Sequence, residues 1–311
     1  MERLKLSGST PPILILVFNR PDTTQAVFNQ IRKARPEQLF VGTDAPRKDH
    51  PDDIEKCGRV LEIFEQIDWD CRLSIFTHDE NVGGQIGITS AMDWFFSHVE
   101  EGIIFEDDCL PDQSFFPFCQ ELLERYRHDE RIMMISGDNF QFGRRRTDYS
   151  YYFSRYPHTW GYATWRRVWK DYDLSIKLWP LIRDNGWMND IFQDKKAVKY
   201  WTSIFEGVYN KTIYSHDYQI GFLCWITGRV CILPNTNLIS NIGFRQDATH
   251  TNEVNSPFAN MPTIPVQFPL KHPPFIIRDC VADQFSQRTH FDTATWISRT
   301  RYVLGHMLGR I

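Results

Sequence analysis

The 311-residue chain has a hydrophobic fraction of 42%, a charged fraction of 24% and a formal net charge of −4, the make-up of a soluble globular protein with ample material for a core. No basic excess marks nucleic acid as a partner, no run of about 18 apolar residues could span a bilayer, and the N-terminal MERLKLSGSTPP carries no secretory apolar region. Seven scattered cysteines without CxxC spacing read as reduced thiols of a cytoplasmic protein rather than zinc ligands or a disulfide frame.

The first predicted element is a strand at Ile13–Phe18, a continuous apolar run. After Asn19-Arg20-Pro21 a helix is expected with Asp22 as N-cap and Val27, Phe28 and Ile31 on its buried face. Leu39–Val41 makes a second strand ending at Gly42-Thr43-Asp44. The spacing of Ile54, Cys57, Leu61, Phe64 and Ile67 predicts a second helix. A strand at Leu73–Phe76, a helix near Gln85–Ser97 and a strand at Gly102–Phe105 follow. Strands alternating with helices imply βαβ units in an α/β fold with a mostly parallel, Rossmann-like sheet. Ligands of such sheets sit at the carboxyl ends of the strands, the edge at which Arg20, Asp44 and Glu106-Asp107-Asp108 all emerge.

Beyond a helix near Phe115–Arg127 and a strand at Ile132–Ser136 the chain becomes crowded with aromatics, including HTWGYATWRRVWKDYD at His158–Asp173, without a βα rhythm. A buried helix near Tyr218–Ile226 and a strand near Val230–Leu233 lead to the polar SNIGFRQDATHT. The Pro-rich stretch from Ser256 to Pro274 is expected to wrap the surface in extended form. These textures divide the chain into a βα-rhythmic half with its ligand edge (1–140), an aromatic-rich half of the same domain (141–255), and a Pro-rich wrap with a C-terminal helix (256–311). The tail WISRTRYVLGHMLGRI has the pattern of a basic amphipathic helix. Packing against the body or a second copy is favoured over peripheral contact with the cytoplasmic face of an inner membrane.

The triplet Glu106-Asp107-Asp108 places three carboxylates behind an apolar strand, where unpaired charge is costly. Strand alternation sends Glu106 and Asp108 to one side and Asp107 to the other. Hard oxygen donors suit Mg²⁺ or Mn²⁺, and a cation held by one or two of them keeps positions open for substrate phosphates; the alternative is a solvated acidic turn. Asp44 could take the ribose or base of a nucleotide, and Arg20 could pair with phosphate, although both residue types are common in plain turns. Asp217 opens an apolar helix, and from spacing alone an N-cap is favoured over a general base. Gly83-Gly84 in NVGGQIG offers free amides to an anion, but no GK[ST] follows. A lone loop His250 could contact phosphate or metal or simply be solvated.

Taken together, PILILVFNRPDTT, VGTDAPR, NVGG, IIFEDDCLPDQSFFPFC, WGYATWRRVW, HDYQ and ISNIGFRQDATHT resemble, in their order, bacterial glycosyltransferases of the GT-A fold similar to the N-acetylglucosaminyltransferase I group, some of which are labelled hemolysin-activation or HlpA-like proteins. The resemblance covers about residues 11 to 252. It implies Asp108 as the metal ligand, Glu106 and Asp107 on the sugar and ribose, Arg20 and Asp44 on the nucleotide, and Asp217 as catalytic base, reversing the preference for a cap. A closing loop points to Ala248, Thr249 and His250 as further donor contacts. Trp160 and Tyr162, with Trp165, would wall the acceptor, core packing being the alternative. Where the eukaryotic enzymes place a His on the helix before the EDD strand, this chain has Ala91.

The implied activity is metal-dependent, inverting transfer from a nucleotide-diphosphate sugar, UDP-linked by preference, to a hydroxyl of a glycan or glycolipid. Two rivals are a sugar-phosphate nucleotidyltransferase, disfavoured because FNRPDTT lacks a Gly-rich basic phosphate loop, and a non-catalytic protein that keeps the fold.

Overall fold

The computed structural model describes residues 9–244 and 256–291. In chain order the elements are β1 (Ile13–Val17), α1 (Pro21–Ala34), β2 (Gln38–Thr43), α2 (Asp52–Glu62), β3 (Arg72–Thr77), α3 (Gly84–His98), β4 (Glu101–Glu106), β5 (Cys109–Pro111), α4 (Phe115–Tyr126), β6 (Ile132–Ser136), β7 (Tyr151–Ser154) and β8 (Tyr162–Trp165). They continue with α5 (Arg166–Trp169), α6 (Trp179–Asp184), α7 (Met188–Ile191), α8 (Lys195–Tyr209), α9 (Asp217–Ile226), β9 (Val230–Pro234), β10 (Ile239–Asn241) and α10 (Cys280–Ser286).

Eight strands form one sheet in the order β3-β2-β1-β4-β8-β6-β9-β7. The pairs β1–β2, β1–β4, β2–β3 and β6–β9 are parallel, whereas β8 runs antiparallel to β4 and β6, and β7 antiparallel to β9. The expected α/β architecture, a mostly parallel Rossmann-like sheet flanked by helices, is therefore present. β1 is buried along its whole length, as a strand covered on both faces must be. The edge strand β3 holds only half-buried and exposed residues.

From β1 the chain builds outward through β2 to β3, then returns to lay β4 on the other side of β1. That reversal is a topological switch point, where doubly wound sheets bind ligands. Arg20 and Asp44 follow β1 and β2, and the register Leu16↔Glu106 brings the acidic triplet to the same edge.

Several expectations are corrected. Arg20, not Asp22, precedes the first turn of α1, with Pro21 at the first helical position, where its missing N–H costs nothing. On α2 the buried positions are Asp53, Cys57 and Val60, while Ile54 is 71% exposed. The aromatic block holds two strands that the sequence did not announce, β7 and β8. The Ser256–Pro274 stretch contains no helix or strand. Among the described residues no helix is long and apolar enough to cross a membrane. All seven cysteines are free. The amphipathic tail from Trp296 lies outside the described residues.

Candidate functional site

The chain leaves β4 through a tight turn at Asp107-Asp108 and enters β5, which pairs antiparallel with β10 in a separate two-stranded sheet. The amide of Ile242 donates to the Asp108 carbonyl (2.9 Å). Asn241 Nδ2 reaches Asp108 Oδ1 at 3.4 Å, and Asn241 Oδ1 takes the Gly243 amide at 2.9 Å. Gly243 lies so close that a Cβ there would fall 1.9 Å from Asp108 Oδ2. The acidic turn is thus gripped from the late half of the chain, an arrangement no local spacing reveals.

Arg20 meets both turn carboxylates: Nη1 lies 3.0 Å from Asp108 Oδ2 and 3.8 Å from Asp107 Oδ1. This corrects the alternation argument. Period-two alternation ends with β4 at Glu106, and the turn swings Asp107 and Asp108 toward the same cation. Burial pushes both acids above the ordinary carboxylate range; their proximity adds for Asp107, and Arg20 opposes the rise in each. A further cation beside this pair would favour its charged form.

Glu106 belongs to a second group. His216, buried at the cap position of α9, places Nε2 2.9 Å from Asp217 Oδ1 and 3.9 Å from Glu106 Oε1. Burial lowers the imidazole pKa, but the charge of Asp217, its hydrogen bond and Glu106 outweigh burial and raise it to about 9. Glu106 is raised by burial and by Asp217, Asp108 and Asp107, with His216 opposing. Asp217 is the first residue of α9 rather than its cap, and no side chain at His216 closes the helix end. Ser215 Oγ accepts the Asp217 amide at 3.1 Å. The cap reading is therefore wrong in geometry, and the Asp217 side chain is 43% exposed beside its imidazole partner.

Further groups frame this pair. Gln85 Nε2 donates to the Ser215 carbonyl at 2.6 Å, and the Tyr172 hydroxyl to the His216 carbonyl at 3.2 Å. Tyr162 is buried and starts β8 at the site edge, paired with Ile104. Burial, then Asp217 and Glu106, push its hydroxyl pKa far up. Trp165 lies opposite Glu101 at the far edge and is 2% exposed under Arg167; it is core, not acceptor wall. Trp160 is half-buried, edge-on to Phe140 at 5.0 Å and Phe244 at 5.7 Å.

Asp44 is occupied internally. Its Oδ1 accepts the amides of Ala45 (2.9 Å) and Val82 (3.1 Å), and its Oδ2 those of Val82 (3.0 Å) and Gly83 (2.8 Å). The amides of the NVGG loop thus serve an anion of the chain itself. Ala91 is 1% exposed and faces Gly42, whose Cβ would stand 2.6 Å from that of Ala91. The close approach of α3 to β2 leaves no room for an imidazole at position 91.

Arg20, Asp107 and Asp108 come together, as do Glu106, His216, Asp217 and Tyr162. Asp44 instead fastens the α3 loop, and Ala248, Thr249 and His250 lie outside the described residues. The sequence reading gave His216, Asn241, Gly243 and Gln85 no part in the site; only the adjacent letters H-D and N-I-G hinted at them.

Among the described residues no group of three or more His, Cys, Asp or Glu is arranged to hold a metal ion. The Asp107–Asp108 pair does offer hard oxygen donors of the number that a phosphate-bridged Mg²⁺ or Mn²⁺ needs.

No protein-family model matches the chain, and no curated protein matches it. Among solved structures it is similar to a UDP-glucose pyrophosphorylase complexed with UDP-glucose (10% identity, TM-score 0.26, covering 46% of this chain and 62% of that one, so less than two thirds of that protein's length). It is also similar to an apo UDP-glucose pyrophosphorylase (11%, 0.36, covering 72% and 90%). A 4-diphosphocytidyl-2C-methyl-D-erythritol synthase from Anaerococcus prevotii matches at 8% identity and TM-score 0.30, covering 71% and 100%. At such values none of these likenesses carries an activity over to this chain.

Proposed function

We propose that the chain is a metal-dependent, inverting glycosyltransferase that moves a sugar from a nucleotide-diphosphate sugar to a hydroxyl of a glycan or glycolipid acceptor. UDP is the preferred nucleotide, by the sequence resemblance. The observation that carries the reading is the division of carboxylates at the switch point. Asp107 and Asp108 sit with Arg20 on one side, and Asp217, tied through His216 to Glu106, opens from another element.

Direct displacement needs both groups. Arg20 pairs with diphosphate oxygens, and Glu106 and Asp107 accept hydrogen bonds from donor hydroxyls. Asp217 takes the proton of the acceptor hydroxyl as its oxygen bonds to the anomeric carbon and the bond to the diphosphate oxygen breaks, the electron pair leaving with the nucleotide. A Mn²⁺ or Mg²⁺ held by Asp108 would neutralise charge on the departing diphosphate. On the acceptor side this reading keeps the half-buried Trp160; Tyr162 is 4% exposed and turns its hydroxyl to Met92 Sδ at 4.0 Å, so it supports the site from within the core.

The test is product analysis with UDP-, GDP-, dTDP- and CMP-sugars, with and without Mn²⁺. Free nucleoside diphosphate, abolished by Asp217→Asn with nucleotide affinity retained, supports the reading. Transfer that survives Asp217→Asn overturns the base. Pyrophosphate release from nucleoside triphosphate and sugar 1-phosphate would identify a nucleotidyltransferase, and no turnover of any donor a non-catalytic protein.

A further inference from the structure

We propose that His216 is a positioning residue that clamps Asp217 and Glu106 together, fixing the acceptor-side base relative to the donor-side carboxylate. The inference rests on the transferase reading for its consequence, but the clamp itself is a matter of geometry.

The imidazole is buried, and its Nε2 stands 2.9 Å from Asp217 Oδ1 as an ion pair while Glu106 Oε1 lies 3.9 Å from the same nitrogen. The two acids arrive from different elements, the end of β4 and the start of α9, and are 43% and 34% exposed for Asp217 and Glu106. Two neighbouring carboxylates repel each other unless a cation or donor stands between them. His216 is that group, and it is itself held. Its carbonyl takes the Tyr172 hydroxyl, and the preceding Ser215 carbonyl takes Gln85 from α3.

The titratable groups facing the imidazole are Asp217 on α9 and Glu106 on β4, with the Tyr162 hydroxyl on β8 close enough to feel both acids. Both carboxylates favour the charged imidazole over the burial that opposes it. A fixed ion-pair partner holds a general base in one place, the part a carboxylate plays for histidine in hydrolase triads with the two residue types exchanged. Misplacing such a base by about 1 Å costs on the order of a hundredfold in rate.

Two measurements decide the matter. In histidine-labelled full-length protein, the imidazole resonance that disappears in His216→Gln is that of His216. Its titration midpoint in the wild type should stand above the ordinary histidine value and fall in Asp217→Asn; a midpoint that does not move overturns the clamp. In turnover of UDP-glucose and UDP-N-acetylglucosamine with Mn²⁺, His216→Ala should lower kcat about tenfold to a hundredfold, with UDP affinity within about twofold. His216→Gln, which keeps an N–H donor, should recover part of it. Unchanged kcat, or a parallel loss of UDP affinity, overturns the positioning role. A wild type that turns over no sugar nucleotide overturns the transferase reading and with it the positioning role, while the titration still decides whether the clamp exists.

Discussion

Gly243 has no room for a methyl group, because a Cβ there would lie 1.9 Å from Asp108 Oδ2 and 2.6 Å from Cγ. Gly243→Ala must push the Asp108 carboxylate from its place beside Arg20 or move the turn after β10. We expect a stability loss of about 1–3 kcal/mol, as for other overpacked sites, together with loss of the Mn²⁺-dependent part of UDP binding. Thermal shift with UDP, with and without Mn²⁺, checks both; a variant that keeps its full metal-dependent shift would separate Asp108 from the metal. Arg20→Ala removes the counter-ion of a buried acid pair and should cost about 3 kcal/mol in urea denaturation. Arg20→Lys should cost less, since it keeps the charge but not the planar fork. That Arg20 and Asp108 lie at one edge was legible in the sequence, because each follows a recognisable apolar strand. Their contact was not, because 88 positions separate them and only the switch-point topology closes the gap.

At the scale of elements, α2 shows where periodicity misleads. Ile54 is the apolar residue that a helical stripe would bury, yet the buried place goes to its neighbour Asp53. The acid is held by Arg47 Nε at 2.6 Å and Nη2 at 3.1 Å and by Asn19 Nδ2 at 2.8 Å. An ion pair from a loop thus overrides the apolar stripe. The hydrogen bond from Arg47, opposed by burial and aided by Asn19, lowers the Asp53 pKa from 3.8 to about 2. For a lowered carboxylate pKa the stabilisation is complete above the unfolded value and fades as pH falls toward the folded one. Asp53→Asn should therefore be less stable than wild type by about 1 kcal/mol at neutral pH, the figure being held down because Arg47 is 40% exposed. The difference should shrink as pH drops from 3.8 to about 2, followed by denaturant midpoints at each pH. A gap that stays constant through that window would assign the stabilisation to something other than this charge pair.

Across the whole molecule, the first four sheet strands were legible because each is a short apolar run followed by turn residues and a helical pattern. The antiparallel insertion of β8 between β4 and β6 was not, since YATW sits in a block rich in aromatics and its place depends on partners at Glu101–Ile104 and Met134–Ser136. The same holds for the last described segment. It returns across the body through Ile264 N to the Asn237 carbonyl (2.8 Å), Val266 N to Ser114 Oγ (3.0 Å) and His272 Nε2 to Glu121 (2.8 Å). It leads into α10, where Asp283 is buried against the sheet and takes Ser154 Oγ at 2.6 Å and the Arg155 amide at 3.3 Å, with the Arg155 and Arg278 guanidinium groups at 3.9 and 3.5 Å. Asp283→Ala leaves that hydroxyl and Arg155 without their acceptor, a loss of about 3 kcal/mol where a buried charge loses its partner. If α10 is what fastens the returning segment to β7, the variant should also be cut faster by protease within 256–279 than the wild type under native conditions, before global unfolding is detectable. Equal cleavage rates, with the melting temperature lowered, would mean that Asp283 stabilises the sheet edge but does not hold the segment down.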